Sequence, residues 1–159
     1  MSSTGIIGPF FFEDADGHTQ TVNKERYVDI LKRFWVALQR VSPGADRLWF
    51  QQDGATPHTA RVTLRWLEER FGTRLISRGT DTPWPAHSPD LTPLDFYLWG
   101  FLKSIVCKED PKSLTELKTA IRRAVWSVPA AMCARAIDGV MKRVNVCHLR
   151  KGSHLEHVL

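Results

Sequence analysis

Behind Asn23, apolar residues recur at helical spacing: Tyr27, Ile30, Leu31, Phe34, Trp35 and Leu38. The spacing predicts an amphipathic helix, capped by Asn23 and closed before Ser42-Pro43-Gly44. Upstream, the run Ile6-Ile7-Gly8-Pro9-Phe10-Phe11-Phe12 reads as a strand buried on both faces, interrupted by Pro9, and Asp14-Ala15-Asp16-Gly17 is a turn. Arg47-Leu48-Trp49-Phe50-Gln51-Gln52 is a second strand running into Asp53-Gly54. Residues 58–71 then read as a helix, with Leu64, Leu67 and Phe71 on one face and Gly72 as the stop. Arg74-Leu75-Ile76-Ser77 is a third strand. Residues 78–92 form a long loop rich in Pro and Asp, a length that usually marks function or disorder.

Thr92-Pro93-Leu94-Asp95 is a helix start, with Thr92 as cap, Pro93 in the first turn and Asp95 able to reach back toward the cap. The helix carries Leu94, Leu98, Phe101, Leu102 and Ile105 on one stripe, while Phe96, Tyr97 and Trp99 fill other faces. Ser113-Leu114-Thr115-Glu116 is a capping box for a helix to about Trp126; Pro129 opens another, to about Cys147. A short His-rich tail follows Gly152. The order is an α/β core followed by helices.

Composition narrows this picture only modestly. The chain has 159 residues, 43% of them hydrophobic and 25% charged, enough to bury a core without disulfides or metals as staples. The formal charge of +5 favours polyanionic partners mildly and equally suits an ordinary solvated surface. Cys107, Cys133 and Cys147 are an odd number and too scattered for a disulfide framework, which fits a reducing compartment. The first twelve residues lack a basic segment, so no signal peptide is expected, and no apolar run is long enough to span a membrane.

The candidates for chemistry are carboxylates. Asp53 stands where a strand gives way to a loop, the place where ligands gather in open α/β sheets. A carboxylate there can hold a hard cation, or Asp-Gly can be a plain turn. Asp95 opens a helix, either as a dipole partner or as a second cation ligand. Asp90, in Ser88-Pro89-Asp90, has the same alternatives. His58 can orient a phosphate or a water, or simply begin a helix. His148, His154 and His157 lack the partner spacing of a metal centre. Arg122-Arg123 and Lys142-Arg143 read as solvated helix faces that can also touch a phosphate backbone.

Two segments carry a family resemblance. Gln51-Gln52-Asp53-Gly54-Ala55-Thr56-Pro57-His58-Thr59-Ala60 resembles the (Q/H)D(N/G)AxPHxA segment of mariner-type transposases of the Tc/mariner superfamily. Trp84-Pro85-Ala86-His87-Ser88-Pro89-Asp90-Leu91-Thr92-Pro93-Leu94-Asp95-Phe96-Tyr97-Leu98-Trp99-Gly100 resembles their WPxxSPDLxPxDxxLWG segment. Both are specific and stand in the family's order. The flanks agree too: Gly5 to Phe12 and Val22-Asn23 upstream, Cys147 through Gly152 to Glu156-His157 downstream.

The resemblance implies a ribonuclease-H-like DDE/D catalytic domain that cuts DNA at transposon ends and joins them to target DNA, using three acids and Mg²⁺ or Mn²⁺. Asp53 matches the second acid and Asp95 the third, both as metal ligands; Asp90 belongs to the motif without being a ligand. The family's first acid lies on a strand upstream of the segment that opens this chain, and Asp14, Asp16 and Asp29 match no catalytic position. The resemblance therefore implies a truncated fold, a mixed sheet with flanking helices, in one domain over 1–159 with a helical C-terminal extension over 107–159. It further implies inactivity for want of the first acid, weak DNA binding without sequence preference, a homodimer, no membrane or small-molecule partner, and a nuclear location. Two alternatives stand beside it: a non-catalytic nucleic-acid-binding or protein-interaction module from a decayed transposon, and part of a longer product whose upstream strands complete the sheet.

Overall fold

A computed structural model of the chain describes residues 1–152; the expected tail residues His154, Glu156 and His157 lie outside the described residues. The chain forms two compact units, one of Phe10–His87 and the other of Met1–Pro9 with the chain from Ser88 onward.

In the first unit, helix α1 spans Lys24–Val41. The Asn23 side chain accepts from the Arg26 N–H at 2.8 Å, the expected cap. Strands β1 (Phe50–Gln51) and β2 (Leu75–Ile76) pair in parallel, with Phe50 opposite Leu75 and Gln51 opposite Ile76. Parallel neighbours need a crossover, and helix α2 (Arg61–Phe71) supplies it. Gly72, at φ 56°, takes the left-handed backbone that ends α2. The core is a stack of aromatic and aliphatic side chains. Phe71 lies edge-on to Trp35 at 5.4 Å and against Phe50 at 5.1 Å, and Leu67 and Leu75 are fully buried beside this layer.

In the second unit, a tight turn over Pro89–Leu91 leads into a π-turn over Leu94–Leu98, in which the Trp99 N–H donates to the Leu94 carbonyl five residues back. Helix α3 (Trp99–Glu109) continues it, followed by α4 (Leu114–Trp126) and α5 (Ala130–Leu149). Ser113 accepts from the Glu116 N–H at 3.2 Å, and Glu116 accepts from the Lys112 N–H at 2.8 Å, so the box closes one residue earlier than the standard form. Leu98, Leu102 and Val106 of the α3 segment pack on Ala120, Ala124 and Val125 of α4, with Met1 and Ile6 against the same cluster.

Three expectations change. Residues 6–12 are not a strand: the apolar run is divided between the units at Pro9, which has no N–H to donate to a ladder, and Ile6 goes to the helical core. The strands at 47–52 and 74–77 shorten to two residues each, so the described sheet is two-stranded and parallel rather than mixed. Helix α2 starts at Arg61 rather than 58, because the His58 and Thr59 N–H groups both turn back to the Ala55 carbonyl. None of the described helices is long and apolar enough to cross a membrane.

Phe71 is 1% exposed and Trp126 is 74% exposed. Phe71→Ala is expected to cost about 3–5 kcal/mol in urea denaturation, and Trp126→Ala to stay within about 0.5 kcal/mol.

Candidate functional site

Asp53 follows the carboxyl end of β1 by two residues, and its loop is held from three sides by one amide. Gln52 is buried. Its Oε1 accepts from the Tyr27 hydroxyl of α1 at 3.0 Å, and its Nε2 donates to the His58 carbonyl and to the Ser77 hydroxyl, each at 2.9 Å. Thr63 of α2 donates to the Pro57 carbonyl at 2.7 Å, which ties the loop to the crossover helix.

Within that frame the Asp53 Oδ1 accepts from the Ala55 N–H at 3.0 Å and lies 2.5 Å from His58 Nδ1. An ionised carboxylate only accepts, so with Asp53 charged the proton sits on Nδ1. The His58 ring lies against Tyr27, centroids 4.3 Å apart, and this contact with the Asp53 hydrogen bond fixes its plane. Oδ2 of Asp53 has no hydrogen-bond partner among the described residues, and the side chain is 47% exposed. One oxygen anchored and the other unpartnered on a half-exposed side chain leaves a carboxylate donor open to a hard cation, so Asp53 can accept Mg²⁺ or Mn²⁺. Tyr27 carries the strongest electrostatic effect in this cluster. Burial, and then the negative charge of Asp53, push its phenol well above the usual tyrosine range, so it remains a donor to Gln52.

Asp95 lies in the second unit, exposed, as the second residue of the π-turn. Thr92 acts as the expected cap: its hydroxyl accepts from the Leu94 N–H at 3.3 Å and its carbonyl from the Phe96 N–H at 3.0 Å. The neighbouring Phe96 ring carries the Arg143 guanidinium 3.9 Å from its centroid. Arg143 is 3% exposed, so its reading as a solvated residue is corrected. Its Nε and Nη2 have no hydrogen-bond partner among the described residues. Burial lowers its pKa, opposed by the charge of Asp90, which gives that motif residue an electrostatic role. A Cβ on Gly139, one turn earlier on α5, would lie 2.8 Å from Arg143 Nη1; the glycine makes the space. Its spacing four residues before Arg143 is the sequence signal for this packing.

The structure therefore brings Asp53 and His58 together and places Asp90 in the field of Arg143. Sequence reasoning missed Gln52 and Tyr27 as polar partners, because Tyr27 reads as one more apolar position on the α1 stripe. Asp14, Asp16 and His18 cluster on an exposed turn in which Asp14 accepts from the backbone N–H groups of the other two; Asp29 pairs with Lys32 at 2.8 Å on α1.

Tyr27→Phe leaves the buried Gln52 Oε1 without its donor and is expected to cost about 1–3 kcal/mol at neutral pH. The folded state favours the neutral phenol. Its contribution is therefore complete below the unfolded value of about 10 and is lost as pH rises through the higher folded value. Urea denaturation across the alkaline range should show a loss of stability in the wild type that Tyr27→Phe reduces.

No family model and no curated protein matches the chain. Solved structures do. The catalytic domain of the Mos1 mariner transposase superposes with a TM-score of 0.76 at 27% identity, over 86% of this chain and 66% of that one. The transposase in the Mos1 paired end complex with Mg gives 0.74 at 28% identity, and that in a pre-cleavage Mos1 transpososome 0.75 at 26%. The chain spans 39% of the length of each of these two. In its fold, as in its two sequence segments, the chain resembles the catalytic domain of mariner-type transposases.

Proposed function

We propose that this chain is a transposase-derived, DNA-acting domain of the DDE/D type, with a ribonuclease-H-like ancestry for its β-α-β core. Asp53 stands in the place of the second acid and Asp95 in that of the third. The observation that carries the reading is the setting of Asp53: the end of a parallel strand, one oxygen held by His58 and Ala55, the other without a hydrogen-bond partner among the described residues on a half-exposed side chain. The likeness to the Mos1 catalytic domain supports it.

In each unit the protein's residues bind and orient. His58 and the Ala55 N–H fix the rotation of the Asp53 carboxylate. Gln52 fixes the backbone that carries it. Thr92 and the Phe96–Arg143 stack hold the turn that carries Asp95. Mg²⁺ or Mn²⁺ held by either carboxylate would supply charge neutralisation and Lewis acidity at a phosphodiester. DNA is the proposed partner, bound weakly and without sequence preference, and a second copy of the chain is a further one. The proposed location is nuclear.

Among these residues the family's pattern is matched by two acids, and the two-metal arrangement needs a third to bridge the ions. This favours a second reading, in which the 159-residue polypeptide binds nucleic acid without cutting it. With supercoiled plasmid and Mg²⁺ or Mn²⁺, the polypeptide is expected to produce neither nicks nor joints. Metal-dependent nicking that disappears in Asp53→Ala and Asp95→Ala would contradict this, and would mean that another acid fills the bridging place.

A further inference from the structure

The segment after Asp95 ends in an exposed tryptophan and a glycine that the proposed cation ligand does not explain. From Leu94 to Glu109 the chain is continuously helical, and its aromatic side chains divide. Tyr97 and Phe101 stack on each other with centroids 5.6 Å apart and pack against the α3–α4 core. Phe96 and Trp99 turn out instead and are 46% and 51% exposed. Rings of this size gain most from burial, so two left on the surface of one helix call for a partner. Trp126 is exposed as well, but α4 carries no second aromatic residue and no glycine.

Gly100 follows Trp99 and is exposed. Glycine is among the least favourable residues inside a helix and is kept where the backbone needs a positive φ or where something approaches closely. Gly100 meets neither condition within the chain: its backbone is helical, and a Cβ built on it would have no described atom within 4 Å. Gly139 differs, because Arg143 fills its space. Gly100 thus leaves an open floor beside the Trp99 ring. Phe96 and Gly100, like Trp99 and Lys103, stand four residues apart, so the four share one face, with Lys103 roughly 6 Å beyond Trp99 along the axis. Between Asp95 and Glu109 the charged residues are Lys103 and Lys108, both exposed, which makes the face aromatic and cationic.

We infer that this face is a stacking platform for an unpaired nucleotide of DNA, with a base on Trp99 flanked by Phe96, the strand passing over Gly100, and Lys103 taking a phosphate. The inference rests on the DNA-acting reading above and adds the form of DNA that is held. Stacking on an aromatic ring accepts any base, and a cation one turn away meets the backbone of the same strand. A duplex keeps its bases paired and stacked on one another and offers the rings no free base face. A second copy of this face would set Lys103 and Lys108 against their own equivalents, whereas a polyanion neutralises them. Asp95 immediately precedes the platform, so a strand held there lies beside the proposed cation ligand.

The test is a fluorescence-anisotropy titration of the 159-residue polypeptide against three labelled probes of equal length: a mixed-sequence single strand, an abasic single strand and a duplex. The wild type is expected to bind the mixed-sequence strand about fivefold or more tightly than the abasic one, which carries the same phosphates without bases. Trp99→Ala should remove that preference, with the slope of log affinity against log salt unchanged, and Trp99→Phe should restore most of it. Lys103→Ala should keep the preference and make the slope shallower by about 0.7, the value for one phosphate contact on a single strand. Gly100→Leu fills the floor with a better helix former, so its thermal unfolding should be no lower than wild type while the preference is lost. Trp126→Ala, the control, should change affinity less than threefold. Equal binding of the mixed-sequence and abasic strands by the wild type, or a preference that survives both Trp99→Ala and Gly100→Leu, would overturn the inference while leaving DNA binding intact. A change of oligomeric state in Trp99→Ala at unaltered DNA affinity would give the face to a second copy and overturn it equally. No binding of any probe by the wild type at low salt would overturn the DNA-acting reading itself.

Discussion

Gln52 is the residue on which the first unit's candidate site depends. Its buried amide makes three hydrogen bonds, to α1 through Tyr27, to the chain after β2 through Ser77, and to the Asp53–Ala60 loop through the His58 carbonyl. A buried amide in a core is tolerable only when satisfied, and these partners make it a brace rather than a penalty. β1 and β2 are two residues each and contribute little ladder of their own. The amide holds the loop where a longer sheet would otherwise do so, and with the loop it holds the His58–Asp53 pair.

The second unit solves the same problem differently. The residues around Asp95 are set by a helix start that widens into a π-turn and by a buried guanidinium stacked on Phe96. Gly139 leaves room for that guanidinium, and Asp90 supplies opposing charge. Two residues of the same motif thereby acquire distinct duties: the charge of Asp90 opposes the effect of burial on Arg143, while Asp95 is carried by the turn. Burying a cation with unmet donors is costly, so the packing around it must be closely specified, and the close approach at Gly139 is where that specification is visible.

Much of this was legible in the residues. The caps at Asn23, Thr92 and Ser113 form as read, since a side-chain acceptor before a helical stripe has few other uses. The β-α-β order and the position of Asp53 after its strand follow from the pattern as well. The failures have local causes. Apolar runs at 6–12, 47–52 and 74–77 show what prefers to be buried and not which partner pairs with it, so strand lengths were overestimated. The π-turn escaped because helical periodicity does not register one extra residue at a helix start. Arg143 was misread because a basic pair on a helix looks solvated until the glycine one turn away is weighed with it. Tyr27 was hidden because its ring satisfies the apolar stripe while its hydroxyl serves the site.

The central claim is that Asp53 and Asp95 are cation ligands. Electron paramagnetic resonance titration of Mn²⁺ into the 159-residue polypeptide tests it most directly, because it reads binding without requiring catalysis. Wild type should bind Mn²⁺, and Asp53→Asn and Asp95→Asn should each weaken that binding by about tenfold or more. Binding unchanged by both substitutions, or abolished only by Asp14→Asn with Asp16→Asn on the exposed turn, would contradict the account.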